Sequence, residues 1–280
     1  MTRVKRDLHT HSNASDGSLA PAELVALAAE NGVGLLALTD HDTLAGNREA
    51  REAALDLGVD FVPGVEVSCA WGGLGIHVVG LGVDPDDEEL TAAFRATAAL
   101  RLERAREMGR RFEALGMPGA FEGALAIAGA AAVLSRNHFA LWLLEKGYVE
   151  RHGEAFARYL LPGKPGFVAS AWPAMAKTVA LLRRRKAVPV LAHPGRYKVC
   201  ADWEREALMD DFIKAGGLAI EVSSGSQPVE MNEYFADVVR ARGLWASVGS
   251  DWHSRRSARP LPGDAEPLPA DLPFVTELLH

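Results

Sequence analysis

Nine residues with metal-binding side chains occur in a repeated setting along the chain. His9-Thr10-His11 follows a short apolar run, and Asp16 comes soon after in a Ser-Asp-Gly turn. A second run ends in Thr39-Asp40-His41-Asp42, a third carries Gly64-Val65-Glu66, and His77 lies within a fourth. Ala192-His193-Pro194-Gly195-Arg196 ends a fifth run, and Gly249-Ser250-Asp251-Trp252-His253 ends the last. On extended chain, alternate side chains point the same way, so both members of an HxH or DxH pair can reach one site. Imidazole and carboxylate together suit Zn, Mn or Fe(II), and the lack of cysteine among them argues against a structural zinc. The chemistry such a set supports is metal-assisted hydrolysis.

The elements that must position these residues can be read from the apolar pattern. Strand-like runs cover residues 4–8, 35–39, 61–67, 75–81, 188–192, 218–222 and 244–249. Helical patterns between them cover residues 22–29, 44–57, 175–186, 204–215 and 229–242. Several strands are almost continuously apolar, as parallel strands covered on both faces should be. Strand and helix in alternation predict an α/β protein, either a parallel barrel or an open doubly wound sheet. In a barrel the C-terminal strand ends share one rim, where distant residues converge. Residues 86–163 break the rhythm with an Ala-, Leu- and Arg-rich helical pattern, including a Glu107–Arg111 pair one turn apart. They are expected to form a helical insertion, a cap beside the mouth of a barrel built from residues 1–85 and 164–280. The Pro/Gly cluster at 161–166 marks the return, and the Pro-rich tail after Arg255 is expected to wrap the surface.

Composition narrows the function classes. With 280 residues and 48% hydrophobic content, the chain can bury a large core. A net charge of −7 and a pI near 5.7 offer no general basic surface for long nucleic acid. A small anion remains compatible, because bound metal ions dominate their local field. Cys69 and Cys200 form no ligand pattern and fit a reducing cytoplasm. The basic N-terminus lacks a signal-peptide apolar stretch, and the longest apolar run, residues 123–134, is too short to span a bilayer. A cytoplasmic protein without membrane contact is expected, with its oligomeric state left open.

Each signal has a bland reading of its own. A lone HxH is usually incidental, and His77 alone would be an ordinary core histidine. Asp16-Gly17 is a common turn pair, Asp42 could cap the next helix, and Glu66 could pair with a buried arginine. Yet six of the nine histidines and three carboxylates occupy matching places, which coincidence does not produce.

In that order, HxH, Ser-Asp-Gly, TDHD, GxE, His, AHPxR and GSDxH, the chain resembles the PHP domain of polymerase- and histidinol-phosphatase-like proteins. The resemblance implies a distorted seven-stranded (β/α)7 barrel within or near the amidohydrolase superfamily. Ser135-Arg136-Asn137-His138-Phe139, Gly163-Lys164-Pro165-Gly166 and His193-Pro194-Gly195-Arg196-Tyr197 look like the branch of 3′,5′-nucleoside bisphosphate phosphatases and 5′-to-3′ exoribonucleases. It implies a trinuclear centre. His9, His11, Glu66 and Asp251 would hold one ion, Glu66, His77 and His193 a second, and Asp16, His41 and His253 a third. The ions implied are two or three Mn2+, with Zn2+ or Fe2+ as alternatives. The reaction implied is phosphomonoester hydrolysis, with adenosine 3′,5′-bisphosphate giving AMP as the favoured case. Asp251 would orient the attacking water, and His253 or His41, if not fully committed to metal, would help protonate the leaving oxygen. Arg136, Asn137, His138, Lys164 and Arg196 are the candidate contacts for a second phosphate and the ribose. The alternatives are a nuclease acting on short 5′-phosphorylated RNA, a histidinol-phosphate phosphatase, and a non-catalytic PHP scaffold.

Overall fold

The computed structural model describes residues 4–129, 133–197 and 202–279. The apolar runs form one seven-stranded sheet, in chain order: β1 (Lys5–Asp7), β2 (Val33–Leu38), β3 (Asp60–Trp71), β4 (Leu74–Leu81), β5 (Val188–Leu191), β6 (Ala219–Ser224) and β7 (Trp245–Gly249). Its edges meet where Leu8 N donates to Val248 O at 2.9 Å and Thr10 bridges Trp252, so the sheet is a nearly closed barrel. Around it pack α1 (Pro21–Glu30), α2 (Asn47–Leu57), α7 (Met175–Arg184), α8 (Asp202–Lys214) and α9 (Met231–Arg242). Apolar side chains from strands and helices, among them Val65, Ile76, Val179, Leu182, Phe212, Ile220 and Phe235, fill the largest core. Among the described residues no helix is long and apolar enough to cross a membrane.

The expectation of an all-parallel barrel is corrected at one strand. β4 runs antiparallel to both β3 and β5, while the remaining pairs are parallel. Only Gly72 and Gly73 separate β3 from β4, with φ of 55° and 81°. A two-residue turn of this kind can join only antiparallel neighbours. Reversal puts the start of β4, not its end, at the mouth, so His77 pairs with Ser68 there, two residues from Glu66 on the same face.

Residues between β4 and β5 fold into α3 (Glu88–Ala114), α4 (Ala120–Ala128), α5 (Arg136–Glu145) and α6 (His152–Ala155). These pack about their own apolar cluster, with Met108, Phe112, Phe139, Trp142, Leu143 and Leu160 at its centre. α3 belongs to both bodies: Leu90 and Phe94 enter the barrel core, whereas Ala105, Met108 and Phe112 enter the helical one. On its exposed face Glu107 and Arg111 lie 3.3 Å apart, as their spacing suggests.

The Pro-rich tail does more than wrap the surface. Phe274 and Val275 are buried against Leu8, Val190 and Val248, and Ala246 N donates to Pro273 O at 2.8 Å. Apolar residues in the tail thus cover strands that would otherwise face water. Cys69 is buried and free, and Cys200 lies outside the described residues.

Asp87 caps α3, accepting from Leu90 N at 2.9 Å, and pairs with Arg185 beyond the end of α7. Burial pushes this carboxyl up, but the Leu90 N–H and the Arg185 guanidinium outweigh it and hold it below its ordinary value. Asp87→Ala should cost about 1 kcal/mol of stability at neutral pH. Because the folded-state value is depressed, the contribution is present above the ordinary carboxylate range and fades as pH falls through and below it. Denaturant melts of both proteins between pH 7 and 3 should therefore converge at the acid end.

Candidate metal centre

Six of the seven strands deliver donors to the same mouth. β1 leads into His9 and His11, β2 into His41, β5 into His193, and β7 into Asp251 and His253, while β3 and β4 carry Glu66 and His77 within their lengths. Sharp backbone turns aim several of these groups. Four described residues other than glycine take positive φ, and three are at this mouth: Asp42 (48°), His193 (31°) and Asp251 (51°). Gly249 lacks a side chain for a related reason, since a Cβ there would lie 2.2 Å from that of His9.

Nine donors converge. Glu66 Oε2 lies 2.9 Å from His41 Nδ1, 3.2 Å from His11 Nε2 and 3.3 Å from His9 Nε2. Glu66 Oε1 lies 2.7 Å from His77 Nδ1 and 3.0 Å from His193 Nε2. Asp251 Oδ1 stands 3.3 Å from His11 Nε2, and Asp16 Oδ1 stands 3.2 Å from His253 Nε2. Three groups are compact enough to hold an ion: His9, His11, Glu66 and Asp251; His11, Asp16, His41 and His253; and His41, Glu66 and His77. The last two differ in detail from the sets implied by resemblance, because His41 faces Glu66 as well as Asp16, and His11 adjoins the Asp16 set.

Electrostatics fit a cation. Burial pushes the Glu66 carboxyl up, yet the imidazoles of His77, His41 and His9 outweigh it and hold it well below the ordinary range. Burial likewise drives His77 down to about 4 and His253 down to about 3, favouring neutral donors. At His9 and His11 burial pushes the same way, but the carboxylates of Glu221, Glu66 and Asp251 outweigh it and raise both, His11 to about 9. Buried polar atoms here lack hydrogen-bond partners: His9 Nε2, both nitrogens of His11, Asp16 Oδ1, His41 Nδ1, Glu66 Oε2, His193 Nδ1 and Asp251 Oδ2. Buried polar atoms normally find partners, so the orphans among them that face Glu66 and Asp251, with Asp16 Oδ1 facing His253, fit ions that they would ligate.

The groups behind the donors are also fixed. Glu221 Oε1 accepts from His9 Nδ1 at 2.7 Å, leaving His9 Nε2 for the centre, and Glu221 Oε2 accepts from the His193 amide at 2.6 Å. Asp40 accepts from Ser12 and Ser15, which shapes the loop carrying Asp16. Asp42 does not cap a helix: Oδ1 accepts from Ser68 N at 2.8 Å and Oδ2 from Arg101. Arg259, in the tail, sets Nη1 2.9 Å from Asp251 Oδ1.

The helical segment reaches the mouth through α5. Ser135 Oγ donates to Asp16 Oδ2 at 2.9 Å, and Asn137 Nδ2 donates to Asp16 O at 3.0 Å. His152 stands behind Asn137, 2.6 Å from Oδ1. His138 is buried and its Nδ1 accepts from Ser135 N at 3.0 Å, completing a helix cap. Arg136 has no carboxylate partner among the described residues, and Arg196 lies 3.7 Å from Asp251 Oδ2. Lys164 is exposed in the turn after α6, and no side-chain bond joins it to the mouth.

Comparison with known proteins accords with this geometry. Residues 7–146 match the PHP domain family. A 3′,5′-nucleoside bisphosphate phosphatase of Chromobacterium violaceum is 43% identical over 94% of this chain and 92% of its own. A 5′-3′ exoribonuclease of Haemophilus influenzae is 40% identical over 89% of this chain and 90% of its own. A structure solved as a metal-dependent phosphoesterase from Bifidobacterium adolescentis superposes with a TM-score of 0.85 at 27% identity, covering 98% of this chain and 93% of that one. Fold and site together define a metal-dependent phosphoesterase. The chain belongs to the PHP domain family.

Glu221 offers a direct check on how the donors are held. Glu221→Gln keeps the size but loses the charge that orients His9, and should weaken metal binding about 10- to 100-fold. Titration of metal-free protein with Mn2+, followed by calorimetry, measures this, and unchanged affinity would show that Glu221 orients nothing.

Proposed function

We propose that the protein removes the 3′-phosphate from adenosine 3′,5′-bisphosphate, giving AMP and inorganic phosphate, with two or three Mn2+ ions held by His9, His11, Asp16, His41, Glu66, His77, His193, Asp251 and His253. Zn2+ and Fe2+ suit the same donors. The observation that carries the reading is the pairing of this donor cluster with Arg136 and Arg104, which face no carboxylate among the described residues. When bound, the metals supply an acidified water and positive charge against the phosphoryl oxygens. Residues of the chain do the rest. Asp251 orients the attacking water, and His41, where it is not fully committed to metal, passes a proton to the departing 3′-oxygen; His253, held neutral by burial, serves as a metal donor.

The second phosphate falls to cations from both bodies. Burial pushes Arg136 down to about 10, with Arg196 and Arg101 adding repulsion, and pushes Arg104 down to about 9 beside Arg136 and Arg101. An anion seated beside Arg136, Arg104 and Arg196 relieves that repulsion, and arginine can offer two donors to one phosphate. Asn137 is placed for ribose or phosphate, and Lys164 adds a mobile charge at the edge. Residues 86–163 act in this reading as a cap domain that brings Arg136 and Asn137 to the mouth. A second reading, trimming of short 5′-phosphorylated RNA, draws support from the exoribonuclease relative and uses the same centre.

Chelation should abolish phosphate release and Mn2+ should restore it; full activity under chelator would sink the mechanism. Turnover of adenosine 3′,5′-bisphosphate against a short 5′-phosphorylated oligonucleotide separates the two substrates. Glu66→Ala should be among the most damaging single changes to both metal content and turnover. Arg136→Ala or Arg196→Ala should cost about 2–4 kcal/mol of transition-state stabilisation on the bisphosphate. Both should act far more weakly on a small aryl phosphate, and equal losses on the two substrates would refute a second-phosphate role.

A further inference from the structure

We propose that Arg101 is a positioning residue, tying the helical segment to the backbone that seats His41 and Glu66. The proposal rests on the metal-centre reading above but concerns a residue outside the donor set. Arg101 is 6% exposed and lies on α3 between the stretch packed on the barrel core and the stretch packed in the helical core. Its Nε donates to Asp42 Oδ2 at 3.0 Å and its Nη2 to Ser68 Oγ at 2.6 Å, while its guanidinium lies 4.9 Å from the centre of the Trp172 ring.

Those two partners lie next to metal donors. Asp42 follows His41 directly, and its amide donates to Glu66 O at 3.0 Å. Ser68 lies two residues beyond Glu66 and pairs with His77 across the sheet. Asp42 also holds a left-handed backbone, which a non-glycine residue keeps only when its surroundings impose it. Arg101 supplies that imposition from one side and the Ser68 amide from the other. Without the guanidinium, a fully buried carboxylate would lose its only cationic partner among the described residues, and the turn holding His41 would relax to hydrate it.

The test uses the full chain as Arg101→Gln and Asp42→Asn, separately and combined, with the exposed Arg106→Gln on the same helix as control. Each is loaded with Mn2+, desalted, and read by metal analysis, circular dichroism melting, and kinetics on an aryl phosphate. Arg101→Gln should bind Mn2+ about 10- to 100-fold more weakly at the sites that share His41. Its kcat should fall with KM unchanged. The combined variant, with a neutral amide on each side, should recover metal relative to Arg101→Gln, whereas Arg106→Gln should match wild type. Wild-type metal affinity in folded Arg101→Gln overturns the proposal, as does a rise in KM at constant kcat. If Arg101→Gln does not fold, Asp42→Asn decides: weakened metal supports the proposal and undiminished metal overturns it. A wild-type chain that takes up no Mn2+ would instead refute the metal-centre reading itself.

Discussion

Glu66 is fully buried, and five imidazoles approach its two oxygens within 2.7–3.3 Å. A carboxylate taken so far from water is costly unless charges or hydrogen bonds replace its hydration. Imidazoles also gain little from crowding one another, yet neighbouring rings here have centroids as close as 4.0 Å. These groups do not choose this arrangement for their own sake; the scaffold forces it. That demand explains the surrounding construction: parallel strands ending at one rim and a reversed β4 starting there, three left-handed residues at this mouth, a glycine where His9 needs passage, and Glu221 bracing two donors at once. Positive charge bound among the donors satisfies all of them together.

Much of this convergence is legible in the order of residues alone. Residues that follow strands share one fate in a barrel, so the recurrence of His and Asp after successive apolar runs already implied convergence. Although β1 carries exposed Lys5 and Arg6, strands such as β5 and β6 could be read because their side chains are buried on both faces, leaving little polar content to blur the pattern. Strand direction could not. An apolar run reads the same in either sense, and only the Gly72-Gly73 link, two residues long, carried the information that β4 must turn back.

Arginines show a different limit. Arg101 and Arg104 sit in a helix rich in charge, where Arg106, Arg110 and Arg111 make ordinary exposed pairs with glutamates. Nothing local separates the two that face inward, because the partners that bury them, Asp42 and the Val168 carbonyl, are 59 and 64 residues away in the chain. Arg259 was hidden in a Pro-rich tail, a composition that suggests loose surface chain. Glu221 lay within a predicted strand, and its position opposite His9 depends on barrel closure, which brings together residues 212 apart.

The reversed β4 also sets the length of α3. Since that strand descends, the chain leaves it at the end of the barrel remote from the mouth, beside Arg185 below α7. To bring anything back to the mouth, the next element must climb the whole height of the barrel. α3 does so with 27 residues, roughly 40 Å of helix. It therefore acts as a ruler. One residue added or removed between Asp87 and Arg101 would turn the guanidinium by about 100° and shift it by about 1.5 Å, breaking its aim at Asp42. The helices beyond Arg101 would move with it. This stretch of chain is thus fixed in length as tightly as the donors are fixed in kind, although its surface residues are free to vary.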